Sequence, residues 1–124
     1  MPLVVRAFPL CQPVEELEAF AKALSTERSR DAGAFYRRFG ISHESWHLQK
    51  TGSGGTWVIG VTMIDNPTEG GQRYAETSAE FEDWFKDQVH RLSGINPNTD
   101  PLGPPTTQVF AWADDQRPNS DLCA

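Results

Sequence analysis

The sequence predicts one α+β domain with the element order β, α, a short helical extension, β, β, α, β. Its 124 residues suit a single domain with its own core. Short β-branched or alternating apolar runs occur in four segments, and apolar residues recur every three to four positions in the helical segments. Runs rich in Gly, Pro, Ser or Thr separate these segments, so no second domain is predicted; a polar tail begins at about residue 114.

The first apolar run, residues 2–10 (PLVVRAFPL), predicts a buried strand. A helix should follow from Pro13, because proline suits the first helical position and the acidic residues after it complement the helix dipole. Its buried stripe comprises Val14, Leu17, Phe20, Ala21 and Leu24. Residues 30–39 predict either a second short helix or a bent continuation, which ends at Gly40.

Residues 43–50 and 56–65 flank the flexible segment TGSGG and predict a β-hairpin. Side chains alternate between the two faces of a strand. If residues 51–55 form a loop with an odd number of residues, alternate residues of the first strand share a sheet face with alternate residues of the second. This face would carry His43, Ser45, His47, Gln49, Trp57, Ile59, Val61 and Met63. Residues 65–72 (DNPTEGGQ) predict a turn.

The clearest helix covers residues 79–92, with Thr77 and Glu80 as a capping box. Its apolar stripe includes Phe81 and Phe85, whereas the opposite, charged face includes Glu82 and Lys86. Four prolines in residues 96–105 predict an irregular connection, and residues 107–113 (TQVFAWA) predict the last strand.

This order is that of a ferredoxin-like βαββαβ antiparallel sheet with both helices on one face. The other face would then expose Trp, Ile and Val side chains that no helix is left to cover. A two-fold homodimer that packs sheet against sheet is the simplest way to bury them.

Charge and composition argue against several partners and compartments. The net charge of −6 and the pI of about 4.9 disfavour nucleic acid and anionic membranes, which attract clustered Lys and Arg. No apolar run approaches the ~20 residues that span a bilayer, and no signal peptide is recognised at the start. The two cysteines, Cys11 and Cys123, suggest no disulfide framework. We therefore expect a cytoplasmic protein.

The segment HESWH, residues 43–47, matches the metalloprotease zinc motif H-E-x-x-H. That motif requires a helix, which would bring the two histidines within about 5–6 Å, whereas a strand separates them by roughly 13 Å. The glycines of residues 52–55 and the period-two pattern of Trp46 and Leu48 favour the strand. We therefore predict no metal site, although Ser42 could cap a helix here.

The chain resembles the dimeric α+β barrel superfamily, through its element order over about residues 2–113. The segment FEDWFKDQVHRLSGI, residues 81–95, followed by a proline-rich link and a VFAWA strand, is similar to a family of small bacterial proteins of unknown function. The superfamily implies a pocket between sheet and helices that binds a hydrophobic small molecule, often without metal or flavin. No catalytic motif transfers residue by residue.

On the mixed face of the hairpin, His47 is the candidate general acid or base, and His43 and Trp57 are candidate substrate-binding residues. His47 could instead satisfy a hydrogen bond or face a dimer partner. Trp57 could equally fill space, as could Trp112, the candidate from the last strand.

Two further substrate-binding candidates are Arg6 and Tyr74. Arg6 stands among apolar neighbours and would either anchor an anionic substrate or pair with a carboxylate at the dimer seam. Tyr74, at the end of a glycine-rich loop, would either cover a pocket as part of a lid or plug the core.

Two functions remain open from the sequence. The first is a cofactor-independent enzyme of the monooxygenase, cyclase or isomerase type that acts on a hydrophobic small molecule. The second is a non-catalytic dimeric module that binds a ligand or a protein.

Overall fold

The protein is described by a computed structural model over residues 3–100, 106–112 and 114. Within these residues it is an α+β fold with one antiparallel sheet of three strands and four helices. The elements in chain order are β1 (Leu3–Pro9), α1 (Val14–Ser25), α2 (Ser29–Arg38), β2 (Ile41–Lys50), β3 (Thr56–Ile64), α3 (Pro67–Glu76) and α4 (Glu80–Ser93).

The predicted hairpin is confirmed, and β3 is the central strand in the order β1-β3-β2. His43 pairs with Met63 and His47 with Ile59, which is the register that the five-residue loop predicts. A β-bulge interrupts this ladder at the start of β2, where two residues of β2 oppose one of β3 between Ile41 and His43.

The core lies between one face of the sheet and helices α1, α2 and α4. Phe8, Trp46 and Val58 belong to this inner face and pack against an aromatic cluster from the helices. Phe35 lies at its centre, with its ring 4.7 Å from that of Phe85. The ring centre of Phe35 also lies 5.0 to 5.8 Å from those of Tyr36, Phe39, Tyr74 and Phe81. Each such pair adds about 0.5–1.5 kcal/mol beyond the area it buries.

The opposite, outer face of the sheet contributes no residue to this core. Val5, Ile59, Val61 and Met63 lie on it and are all partly exposed, and Trp57 is 40% exposed. The prediction of an uncovered apolar face therefore holds for the described residues.

The prediction of a turn at residues 65–72 was wrong, because helix α3 begins at Pro67. Asn66 caps it by accepting a hydrogen bond from the Glu69 amide at 3.0 Å, and proline stands at the start of the helix. Two buried glycines let it approach the sheet: a Cβ at Gly70 would lie 2.7 Å from Ile64 Cδ1. Tertiary packing thus outweighs the low helix propensity of glycine.

The predicted strand at residues 107–113 is not formed over residues 106–112, and residue 113 lies outside the described part of the chain. The Thr106 hydroxyl donates a hydrogen bond to the Val5 carbonyl, which ties the segment to the sheet. Val109, Phe110 and Trp112 are 92%, 80% and 69% exposed. Strand propensity alone does not make a strand without a ladder partner, so the fourth strand of the predicted ferredoxin-like order is missing here.

Helix α4 forms as predicted, but two details differ. Its N-cap is Ala79, which makes no side-chain cap, and Thr77 instead donates to Glu82 Oε1 at 3.2 Å, so the capping box was wrong. Glu82 and Lys86, assigned to the charged face, are only 5% and 6% exposed. Both are tolerated in a buried position because polar partners surround them: Arg38 binds Glu82, and the Ala75 and Thr77 carbonyls at the end of α3 accept from Lys86.

Candidate functional site

A cavity of about 180 Å³ lies between the inner face of the sheet and the helices. Most of its lining is apolar and aromatic, and the polar side chains that line it are Arg6, Tyr36, Glu44, Thr62, Ser93 and Tyr74. An apolar cavity of about 150 Å³ is large enough for benzene. The cavity is therefore of a size for a small ring compound, below the ~300 Å³ of drug-sized sites.

Gly60 of β3 creates part of this space. It pairs with Trp46 on one side and with Arg6 on the other. A Cβ at this position would meet nothing closer than Trp46 Cδ1 at 3.9 Å and Glu44 Oε2 at 4.0 Å. The absent side chain leaves room in the middle of the sheet, directly beside the Glu44 carboxyl.

Glu44 is the carboxyl group of the cavity, and both of its oxygens are oriented by donors. Trp46 Nε1 donates to Oε2 and Thr62 Oγ1 donates to Oε1, each at 2.7 Å. Burial raises the pKa of Glu44, and these two hydrogen bonds oppose the rise by favouring the charged form. A carboxyl with a raised pKa in an apolar site is a typical general acid or base.

Two phenol groups face the same cavity, Tyr36 from α2 and Tyr74 from α3. Burial raises the pKa of both, and the charge of Glu44 adds to each rise. The phenols therefore stay protonated at neutral pH and act as hydrogen-bond donors. Together with Glu44 they place three ionisable oxygen groups around one apolar volume.

Arg6 lines the cavity from β1, on the inner face. Its Nη1 donates to the Val5 carbonyl at 3.3 Å. Burial lowers its pKa, and the carboxylate of Asp100 opposes this change. The guanidinium is therefore a partly buried cation next to the ligand space.

The predicted site residues fall into separate places. Arg6 and Tyr74 come together in the cavity, and Tyr74 also packs on the core from a helix instead of a loop. His43, His47 and Trp57 lie on the outer face, where the Ser45 hydroxyl is 3.1 Å from Nε2 of each histidine. Trp112 lies in the exposed segment after the sheet.

The strand at residues 41–50 excludes the helical geometry of the zinc motif. Over the ranges 3–100, 106–112 and 114, no three His, Cys, Asp or Glu side chains are grouped so as to hold a metal ion. Within the same ranges, no helix has the length and apolar character to span a bilayer.

The sequence reasoning missed Glu44, Tyr36 and Thr62. A signal for Glu44 was present, because Trp46 and Leu48 define the inward positions of β2 and Glu44 continues that alternation. Thr62 follows from the register, which places it opposite Glu44. Tyr36 had a weaker signal, since it adjoins the buried Phe35 on its helix.

Compared with known protein families, curated proteins and solved structures, the chain gives no significant match. The class defined by fold and site is a small α+β protein with an aromatic-lined cavity between sheet and helices.

Proposed function

We propose that the protein is an enzyme that moves a proton on a small hydrophobic molecule bound in the cavity, without a resident cofactor. The reaction is of the isomerase or cyclase type, and Glu44 is its acid-base group. The observation that carries this proposal is the Glu44 carboxyl, held by Trp46 and Thr62 in an apolar space of ring size. His47 is a weaker candidate, because it lies on the outer face, away from that space.

Proton transfer follows from the environment of Glu44. Burial raises its pKa above the ordinary glutamate value, which makes the carboxyl a stronger base when it is ionised. The two donors hold the carboxyl in one orientation, which reduces the entropy lost on reaching the transition state. The aromatic walls exclude water and strengthen electrostatic interactions inside the site.

The experiment that tests this function uses Glu44→Gln with Glu18→Gln as the matched control, since Glu18 is exposed on α1. Ring compounds with an acidic C–H are incubated with the full chain in D₂O, and exchange is followed by ¹H NMR. The wild type and Glu18→Gln should exchange a bound compound at equal rates, and Glu44→Gln should be slower by about 10²–10⁴-fold. Equal exchange by Glu44→Gln, or no compound bound in the cavity, contradicts the proposal.

The second candidate function is a non-catalytic dimeric module, favoured by the apolar outer face on which Trp57 is 40% exposed. A homodimer that closes this face is compatible with either function. Val61→Asp places a charge in the middle of the face, and Ala19→Asp is its control on the exposed side of α1. In light scattering, the wild type and Ala19→Asp should have the mass of two chains and Val61→Asp that of one; a single-chain wild type refutes the dimer.

A further inference from the structure

We propose that Tyr36 and Tyr74 donate hydrogen bonds to one oxygen of the substrate, which is therefore a small unsaturated ketone with an acidic C–H beside its carbonyl. This inference rests on the proposed function, because it assigns a substrate class to the same cavity. It also assigns the two tyrosines as the groups that stabilise the negative oxygen formed during the reaction.

The two phenols approach the cavity from different helices but pack on the same two rings. The Phe85 ring centre lies 6.2 Å from those of both Tyr36 and Tyr74. The Phe35 ring centre lies 5.3 Å from that of Tyr36 and 5.8 Å from that of Tyr74. The shared neighbours place both phenol rings in one aromatic cluster beside the cavity, and the two phenols are close enough to interact electrostatically.

Within the described residues, neither phenol hydroxyl donates a hydrogen bond to another protein group. Tyr36 and Tyr74 line the cavity, and neither hydroxyl makes a hydrogen bond to another described residue. In the described ranges, no side-chain oxygen or nitrogen is both sealed off and without a partner. Both hydroxyls therefore have accessible surface, and because both residues line the cavity, a ligand oxygen there could accept from them.

Charge distinguishes the roles of the three groups. Burial and the nearby Glu44 hold the pKa of both phenols above the ordinary range, so each phenol keeps its proton and donates a hydrogen bond. Glu44, also buried, is the group that takes up and returns a proton. Fixed donors aimed at an oxygen that gains charge stabilise the transition state more than the ground state.

The reaction that this arrangement supports is a proton shift in a β,γ-unsaturated ketone. The Glu44 carboxylate removes the proton from the α-carbon, the C–H electron pair forms a double bond to the carbonyl carbon, and the carbonyl π pair moves onto oxygen. The two phenols bind this dienolate oxygen. Protonated Glu44 then returns the proton to the γ-carbon as the carbonyl re-forms, so the conjugated ketone results with no oxidant or reductant.

The cavity sets the size of the substrate. At about 180 Å³ it accepts one ring, and its mostly apolar lining favours a carbocycle whose single oxygen lies at the tyrosines. Cyclohex-3-enone meets these conditions and is the reaction probe. Toluene, which has a similar ring size but no oxygen, is the matched control for binding alone.

The test measures the isomerisation of cyclohex-3-enone to cyclohex-2-enone, and toluene affinity by NMR titration, for wild type, Tyr36→Phe and Tyr74→Phe. Each variant loses only a hydroxyl without a partner in the described residues, so folding should be retained. We expect each variant to slow the reaction by about 10²–10³-fold, the usual cost of one donor to a developing oxyanion, while toluene affinity stays within about two-fold. Wild-type rates in both variants, or equal losses of rate and toluene affinity, overturn the inference.

Failure of the inference and failure of the proposed function give different results. If toluene does not bind the wild-type cavity, both the substrate class and the proposed function are refuted. If toluene binds but cyclohex-3-enone is not isomerised, the substrate class is refuted while the Glu44 exchange experiment still decides the function. If the ketone reacts and depends on Glu44 but not on either tyrosine, only the oxygen-binding role is refuted.

Discussion

The indole Nε1 of Trp46 donates a 2.7 Å hydrogen bond to Glu44 Oε2, two residues earlier on the same inner face of β2. Because Thr62 of β3 binds the other carboxyl oxygen, the group is held between two adjacent strands. The position of this acid is therefore set by the paired strands of the sheet rather than by a loop.

The stability of the protein should depend on pH through Glu44. Burial raises its pKa, so the folded chain holds the proton more tightly than the unfolded chain does. This stabilisation is complete below the ordinary pKa of a glutamate and is lost as the pH rises through the folded pKa. As the pH rises above about 4, the melting temperature of the wild type should fall relative to that of Glu44→Gln.

Differential scanning calorimetry at several pH values measures this dependence, with Glu18→Gln as the exposed control. The Glu18→Gln curve should run parallel to the wild type. A constant difference between wild type and Glu44→Gln, or one that shrinks at high pH, would show that the carboxyl is not buried as described.

Gly60→Ala should reduce ligand binding without harming the fold. The new Cβ would make ordinary contacts, 3.9 Å from Trp46 Cδ1 and 4.0 Å from Glu44 Oε2, and would occupy part of the cavity. We expect toluene affinity to fall by about tenfold or more, and stability to stay equal or to rise by up to about 1 kcal/mol. Gly52→Ala, whose Cβ would meet nothing within 4 Å, is the control; unchanged affinity in Gly60→Ala would place the ligand elsewhere.

Gly70→Ala and Gly33→Ala should change stability in opposite directions, although both lie in helices. At Gly70 the Cβ would lie 2.7 Å from Ile64 Cδ1 and 3.1 Å from the Phe39 carbonyl oxygen, so the helix must shift. The expected loss is about 1–3 kcal/mol. At Gly33 the nearest atoms belong to the end of the Arg37 side chain, which can move, and we expect a gain of about 0.5–1 kcal/mol. Urea denaturation measures both values.

Lys86→Met should destabilise the protein. The buried Nζ donates to the Ala75 and Thr77 carbonyls at 3.2 and 2.7 Å and to Asn98 Oδ1 at 2.9 Å. It thereby connects α4 to the end of α3 and to the segment after α4. Its loss should cost about 2–4 kcal/mol in urea denaturation, because three acceptors lose their donor. Lys22→Met on the exposed side of α1 should change stability by less than about 0.5 kcal/mol; a similar value for Lys86→Met would argue against these contacts.

The elements that the sequence predicted well are those with a strong local pattern. The hairpin register followed from the five-residue TGSGG loop and from the alternation on both strands. Helix α3 escaped prediction because Gly70 and Gly71 resemble turn residues, and only the close approach to Ile64 explains their place in a helix. Residues 107–112 have strand composition, but composition does not specify a partner strand.

The candidate site was harder to predict than the fold. Arg6 and Tyr74 stood out as isolated polar residues, and both reach the cavity. The two histidines of HESWH were candidates from the sequence because imidazole titrates near neutral pH. The residue of this segment that faces the cavity is instead Glu44, which lies between them. The alternation along β2 places Glu44 on the same face as Trp46. Which face the helices cover depends on tertiary contacts, and the sequence of one strand does not specify these contacts.

The bulge at the start of β2 determines which side chains of that strand face the cavity. Ile41 and Glu44 both line the cavity, yet they are an odd number of positions apart, and in an unbroken ladder such residues point in opposite directions. The bulge absorbs Ser42 as an extra residue, so that both side chains face inward; pairing β2 without the bulge while Ser42 is kept would turn one of them outward. The chemistry available inside the protein thus depends on the phase of one strand, since an unbulged pairing would exchange a carboxylate for an imidazole or remove an aliphatic wall from the cavity.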